Sequence, residues 1–287
     1  MQLKNQPFAH LVEINFAMIF MGTSGALGRY IDLPVPLTIA LRSVLALVIL
    51  YAYCRYKGFS FKTDKRHRLP IVLSGIFLGA HWITYFYSLQ LSSVAIGMLS
   101  LFTYPIITSF LEPLILKTRF QKIHLLLGLL VLGGIYLLNP NLDFENGNTI
   151  AVAIGIFSAI LYSLRNIILK NRVTDYNGSS LMCFQMIVIV VVLFPFFFTD
   201  AINAVPDQLP WVFILALLTT AIGHTMFLGC FRYFSITTIS ILSSVQPIYG
   251  IILGAIFLKE IPSLVTVLGG TLILSAVAIE SLRTQKM

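Results

Sequence analysis

The fold class that the 287-residue chain predicts is all-α integral membrane: ten transmembrane helices in two inverted five-helix repeats. Three observations carry it: an extreme composition, ten long apolar runs, and an echo of the first half in the second at an offset of 142 residues. The chain is 57% hydrophobic and 10% charged. A soluble domain holds about 45–50% apolar and about 25% charged residues. Mean hydropathy is +0.90, so a soluble globule of this size could not cover its surface. Disorder is excluded because disordered chains are poor in apolar residues.

The spans follow in order. The first, 8–28, comes after Lys4 and is too long for a signal h-region, so a cleaved signal peptide is not expected. The second, 36–54, starts behind Pro34 and Pro36, and 69–87 follows a basic stretch. Next come 92–116 and 122–138, the latter ended by Asn139-Pro140-Asn141. Then 149–170 leads to Asn177-Gly178 and the run 178–198. Pro206 and Pro210 mark the break before 209–231, and 236–258 and 264–282 complete the set. Each run suits a helix across about 30 Å of hydrocarbon. None shows the ten-residue alternation of a membrane barrel.

Net charge is +8, and its placement gives orientation. With the N-terminus cytoplasmic, fifteen of the 19 basic residues fall inside: Lys4, the cluster Arg55 to Arg68, Lys117, Arg119, Lys122, Lys170, Arg172, Arg232, Arg283 and Lys286. Only Arg29 and Lys259 fall outside, with Asp32, Asp143, Glu145, Asp200, Asp207 and Glu260. This positive-inside bias predicts both termini in the cytoplasm and removes nucleic acid as a partner. Cys54, Cys183 and Cys230 have no metal or disulfide spacing and read as buried small residues. No metal or cofactor is expected.

At the 142-residue offset, PIITSFLEPLILK from Pro105 matches PIYGIILGAIFLK from Pro247; Lys117 matches Lys259 and Gly128 matches Gly270. His81 and His224 fall one residue off the same offset. The repeats are therefore 1–140 (spans 1–5) and 141–287 (spans 6–10) of one transmembrane domain. An odd number of spans per repeat inverts the second copy. Inverted repeats point to a transporter with its substrate site near the midplane.

These features resemble the drug/metabolite transporter superfamily, and within it the EamA-type permeases. Span 1 carries FMGTSGALGRY, with Met21 where such proteins usually have Trp. Pro36 and Arg42 keep the family's Pro-then-Arg spacing, and Leu258-Lys259-Glu260 keeps its LKE, whereas the first repeat has Lys117-Thr118. Gly133-Gly134 and Gly269-Gly270 stand in spans 5 and 10. The resemblance implies a multi-pass permease of the bacterial inner membrane, often an exporter of amino acids or other small metabolites.

Charged groups within hydrocarbon usually face protein or a cavity. Glu13, Glu112 and Arg165 are placed toward the cytoplasmic third and Arg42 toward the outer third, as gating or ion-pair residues; Arg165 is expected to pair with Glu13 or Glu112. His81 and His224 lie near mid-depth, where histidine suits a substrate hydrogen bond or a proton relay, which brings in protons as a coupling partner. Trp82, Tyr85, Tyr104 and Tyr162 are mid-span aromatics with polar tips, as is Tyr249 beside Gln246-Pro247; these residues are expected to line a central cavity for a small solute. Trp211 reads as an interface anchor. Gly75/Gly79, Gly250/Gly254 and Gly22, Gly25 and Gly28 read as sites of close helix packing.

Other functions were weighed. Gly22-Thr23-Ser24-Gly25 resembles the nucleophile string of rhomboid intramembrane serine proteases, but the span count and the repeat do not. A phosphate-binding loop and an Asp-rich metal cluster are missing from the sequence, so the chain is not expected to be an enzyme or ATP-driven. A nucleotide-sugar or sugar-phosphate translocator would want several cations in the cavity, and only Arg42 and Arg165 are available. A channel is disfavoured by the repeat.

Overall fold

A computed structural model describes residues 6–117, 120–138, 147–170, 175–230, 232–233, 239 and 242–284. The described residues are helical, with no strand among them. Lys4, Arg119, Arg172, Lys286, Thr118, the break at 139–141, Asp143, Glu145 and the start of the ninth run at 236 lie outside the described residues.

In chain order the helices are α1 (Gln6–Tyr30), α2 (Val35–Tyr56), α3 (Lys65–Leu91), α4 (Val94–Leu101), α5 (Tyr104–Leu116), α6 (Ile123–Leu138), α7 (Gly147–Leu169) and α8 (Gly178–Leu193). They continue as α9 (Val205–Ile214), a π-helical segment Leu215–His224, α10 (Thr225–Cys230), α11 (Gln246–Leu258) and α12 (Leu264–Thr284). Six stretches have the length and hydropathy of a membrane span: Val35–Tyr56, Lys65–Leu91, Val94–Leu116, Gly147–Leu169, Gly178–Phe198 and Asp200–Cys230. α6, α11 and part of α12 are apolar but shorter. Leu114, Leu129, Val191 and Phe257 stand outward with more than 60% of their surface exposed, as side chains facing lipid do.

Local chemistry explains most boundaries. Pro36 fits the first turn of α2, where its missing N–H costs nothing. Asn177 caps α8 by accepting from Ser179 N at 2.9 Å. The expected run 92–116 divides at Phe102-Thr103, because Pro105 lacks the N–H that would continue the ladder to Leu101 O. Pro195 likewise converts the end of the run 178–198 into a 3₁₀ turn, Phe194–Phe198. The expected break at Pro206 and Pro210 is corrected: α9 starts at Val205, Pro206 sits in its first turn and Pro210 lies inside it.

α5 and α11 are each 13 residues long, with starts 142 apart. Both end on a lysine in the left-handed conformation, Lys117 (φ 54°) and Lys259 (φ 58°), the only non-glycine residues with positive φ among those described. Side chains rarely adopt this geometry, and here it serves a helix C-cap.

α1, α2, α3, α4, α5, α7, the π segment and α11 surround the centre, with α8 packed along α2 and α3 and α6 against α12. Glycines allow the close crossings. A methyl at Gly134 would stand 2.8 Å from Gly269 O, and one at Gly75 would meet Val188 at 2.8 Å. The cysteines are free and buried. Trp211 packs edge-on against Tyr30, ring centroids 5.0 Å apart, at the end of α1.

Candidate functional site

The π segment organises one wall of the centre. Its wider turn separates successive residues by a smaller rotation than an α-helix does, so adjacent Thr219 and Thr220 both reach one guanidinium. Arg42 Nε donates to Thr220 Oγ1 at 2.7 Å and Nη2 to Thr219 Oγ1 at 3.2 Å. Thr219 Oγ1 itself donates to Leu215 O, which leaves its lone pairs for the arginine. The guanidinium lies over the Trp82 ring, with Cζ 3.9 Å from the centroid, a cation–π arrangement. Arg42 is 1% exposed, and its Nη1 has no hydrogen-bond partner.

Opposite, α3 and α7 meet through serines. Ser158 Oγ donates to His81 O at 2.8 Å and lies 2.7 Å from His81 Nδ1. One hydroxyl proton cannot serve both, so with it on the carbonyl the imidazole proton sits on Nδ1 and Nε2 is the free acceptor. His81 stacks on Tyr162 at 4.6 Å, and Tyr162 meets Tyr104 edge-on at 4.9 Å. Tyr104 OH pairs with Ser243 Oγ at 2.7 Å, and its carbonyl accepts from Ser163 Oγ at 3.0 Å. The His224 ring lies 5.4 Å from that of Trp82.

These groups enclose a cavity of about 20 Å³, room for about one water molecule. His81, Trp82, Tyr85, Tyr104, Tyr162, His224 and Gln246 all line it. Arg42, expected as a gating residue, lines it too. Met21, Ser24, Leu101 and Phe102 complete the wall; none of the four is a cavity residue by the sequence reading, although Met21 and Ser24 belong to the FMGTSGALGRY stretch of span 1. Tyr249 is corrected: it is absent from the lining, and its Cβ packs toward Gly22 at the α1–α11 crossing. Among the described residues no carboxylate lines the cavity.

The expected pairing of Arg165 with Glu13 or Glu112 is also corrected. Glu112 pairs with Lys170, and Glu13 lies 3.4 Å from His10 Nδ1, one turn away on α1. Arg165 is fully buried between α7 and α8, donating to Gln185 Oε1 at 2.9 Å and Asn166 Oδ1 at 3.0 Å. Gln185 Nε2 passes the chain on to Ser74 Oγ of α3 at 2.8 Å. Neither Arg42 nor Arg165 meets a carboxylate among the described residues. A charge at the centre of a membrane helix costs about 2.5–3.5 kcal/mol on insertion scales, so polar side chains here replace counter-ions.

At each end of the bundle an ion pair ties separate helices together. At the Arg29 end, Arg29 Nε meets Glu260 Oε1 at 2.9 Å, Glu260 Oε2 accepts from Val94 N at 2.9 Å, and Arg29 Nη1 donates to Gln90 O at 2.8 Å. At the opposite end, Lys170 and Glu112 join α7 to α5.

The model of the EamA-like transporter family matches two stretches, residues 14–139 and 149–282. An uncharacterized transporter of Bacillus subtilis, YxxF, is 23% identical over 96% of this chain and 90% of its own. The pseudopaline exporter CntI of Pseudomonas aeruginosa is 23% identical over 88% of each chain. A solved crystal structure superposes with a TM-score of 0.70 over 97% of this chain and 98% of its own, at 17% identity, a likeness of fold alone.

Proposed function

The chain belongs to the EamA-like transporter family, and from that premise we propose that it is a secondary transporter exporting a small metabolite, such as an amino acid, by alternating access. The central cavity carries this reading. Residues before 140 supply its α1 to α5 walls, and Tyr162, His224 and Gln246 of the second half close it. A site between two halves is what rocking of one half on the other exposes to each side in turn.

Two repeats, 1–140 and 141–287, are supported by the equal 142-residue spacing of α5 and α11, their left-handed lysine caps and the two stretches matched by the family model. The ion pairs fit the same scheme as gates. Arg29–Glu260 links the first span to the end of the ninth, and Lys170–Glu112 links the sixth to the fourth, the exchange an inverted repeat requires. With both formed and the cavity water-sized, the conformation is occluded. The positive-inside bias supports both termini in the cytoplasm, and bacterial relatives support the inner membrane. Similarity to a pseudopaline exporter supports the direction. A nucleotide-sugar or sugar-phosphate substrate is less well served, because among the described residues only one cation, Arg42, lines the cavity.

The test is counterflow of labelled amino acids and sugar phosphates in proteoliposomes without nucleotide, with and without a pH gradient. Saturable accumulation that Tyr162→Ala abolishes is expected. No solute above empty liposomes, or a requirement for ATP, overturns the reading.

A further inference from the structure

We propose that Arg42 Nη1 anchors a carboxylate of the transported solute, with His224 as the second polar contact; the proposal rests on the transport reading above.

A guanidinium carries five N–H groups in a rigid fork. Two of the three nitrogens are committed, Nε to Thr220 and Nη2 to Thr219. Trp82 holds the plane from one face. The threonines and the indole fix the fork so firmly that its remaining edge has one orientation. That edge, Nη1, has no acceptor although the residue is 1% exposed. Donors and charge buried together without an acceptor are costly and are relieved best by an anion. Among the described residues none is at hand: no Asp or Glu of these lines the cavity, and Glu112 and Glu260 are engaged at the two ends of the bundle. His224 Nδ1, whose ring lies 5.4 Å from that of Trp82, is another unpartnered polar atom of the same cavity, together with Tyr85 OH and Tyr162 OH.

The rest of the wall selects what accompanies the carboxylate. Trp82, Phe102 and Tyr162 present aromatic surface, suited to an apolar or aromatic body. One guanidinium edge matches one carboxylate, not the multiple charges of a sugar phosphate. The space is too small for such a solute in the occluded form. The anion therefore reaches Arg42 only when the two halves part.

The test uses the full chain, purified in detergent, and thermal shifts with acid–amide pairs: L-phenylalanine and L-phenylalaninamide, L-leucine and L-leucinamide, phenylacetate and phenylacetamide, with sodium chloride as an anion control. At least one acid should raise the melting temperature saturably while its amide and chloride do not. Arg42→Gln should weaken that acid roughly 10–100-fold, the scale of one charged hydrogen bond. Arg42→Lys keeps charge without the fork and should fall between. Should Arg42→Gln fail to fold, Arg42→Lys and Thr220→Val, which loosens the fork, carry the test by weaker binding of the acid. The proposal is overturned if no acid shifts the protein, if acid and amide or chloride act alike, or if the folded variants bind the acid as the native chain does. Counterflow separates the two readings. An acid that binds at Arg42 but never crosses leaves the anchor standing and removes transport. Solutes that cross with no preference for a carboxylate do the reverse.

Discussion

Replacing Gln185 with leucine should destabilise the protein more than replacing Gln185 and Arg165 together. Gln185 Oε1 accepts from Arg165 Nη2 at 2.9 Å while its amide donates to Ser74 Oγ at 2.8 Å, so this one side chain ties α7, α8 and α3. Gln185→Leu keeps the volume and removes both bonds. Arg165, fully buried, then retains only Asn166 and the Met182 sulfur at 3.6 Å. A hydrogen bond to a charged group contributes about 1.5–3 kcal/mol. Neutral interhelical bonds in membranes average about 0.6 kcal/mol. The single variant should therefore lose about 2–4 kcal/mol. Arg165→Met in the same background removes the stranded charge and fills the space, a change that is often neutral or stabilising. The double variant should recover about 1.5–3 kcal/mol. Unfolding by SDS titration in mild detergent, followed by circular dichroism, reads the cycle. A double variant no more stable than Gln185→Leu would show that Arg165 is not held by Gln185.

Three further expectations follow from the same structure. Gly250→Ala places a methyl against Met98 Sδ and 3.1 Å from Gly22 O; it should lower stability by about 1–3 kcal/mol, and Met98→Ala should restore part of the lost melting temperature. Asp64 caps α3 by accepting from Arg66 N at 3.0 Å, and this bond, with the Arg66 charge, holds its carboxyl below the usual carboxylate range. The cap's contribution is then present above the ordinary carboxylate pKa and lost as pH falls through the lowered value, so Asp64→Ala should lower the melting temperature at neutral pH and not at about pH 2. If His81 and His224 carry protons through the cavity, the double alanine variant should abolish the pH dependence of counterflow; unchanged pH dependence removes them from coupling.

Depth along a helix is legible in a sequence, and azimuth and neighbours much less so. Composition gives the helical membrane class, and the spacing of Pro105 and Pro247 leads to two helices with the same cap. Mid-depth aromatics at 81–85, 104 and 162 do converge on one cavity. Tyr249 sits at a suitable depth but is rotated into the α1–α11 crossing. Arg165 and Glu112 share a depth yet belong to different contacts, because the neighbour of Glu112 is the end of α7 and that of Arg165 is α8. The π segment left no sequence mark, and without it Thr219 and Thr220 could not be assigned to Arg42. Apolar membrane residues repeat too uniformly to reveal which faces meet.

Alternating access is tested most directly at Ser24, which is 6% exposed and lines the cavity. In a chain with its three native cysteines replaced, Ser24→Cys is labelled by a membrane-impermeant thiol reagent from either side. Glu260→Gln weakens the Arg29 gate, and Glu112→Gln the Lys170 gate. The pairs are partly exposed, with side chains 24–35% accessible, so each opening should become easier by about 0.5–1 kcal/mol, or ~2–5-fold in population. Alternating access predicts faster labelling from outside with Glu260→Gln and faster labelling from the cytoplasmic side with Glu112→Gln. Acceleration from the same side by both variants, or by neither, would contradict it.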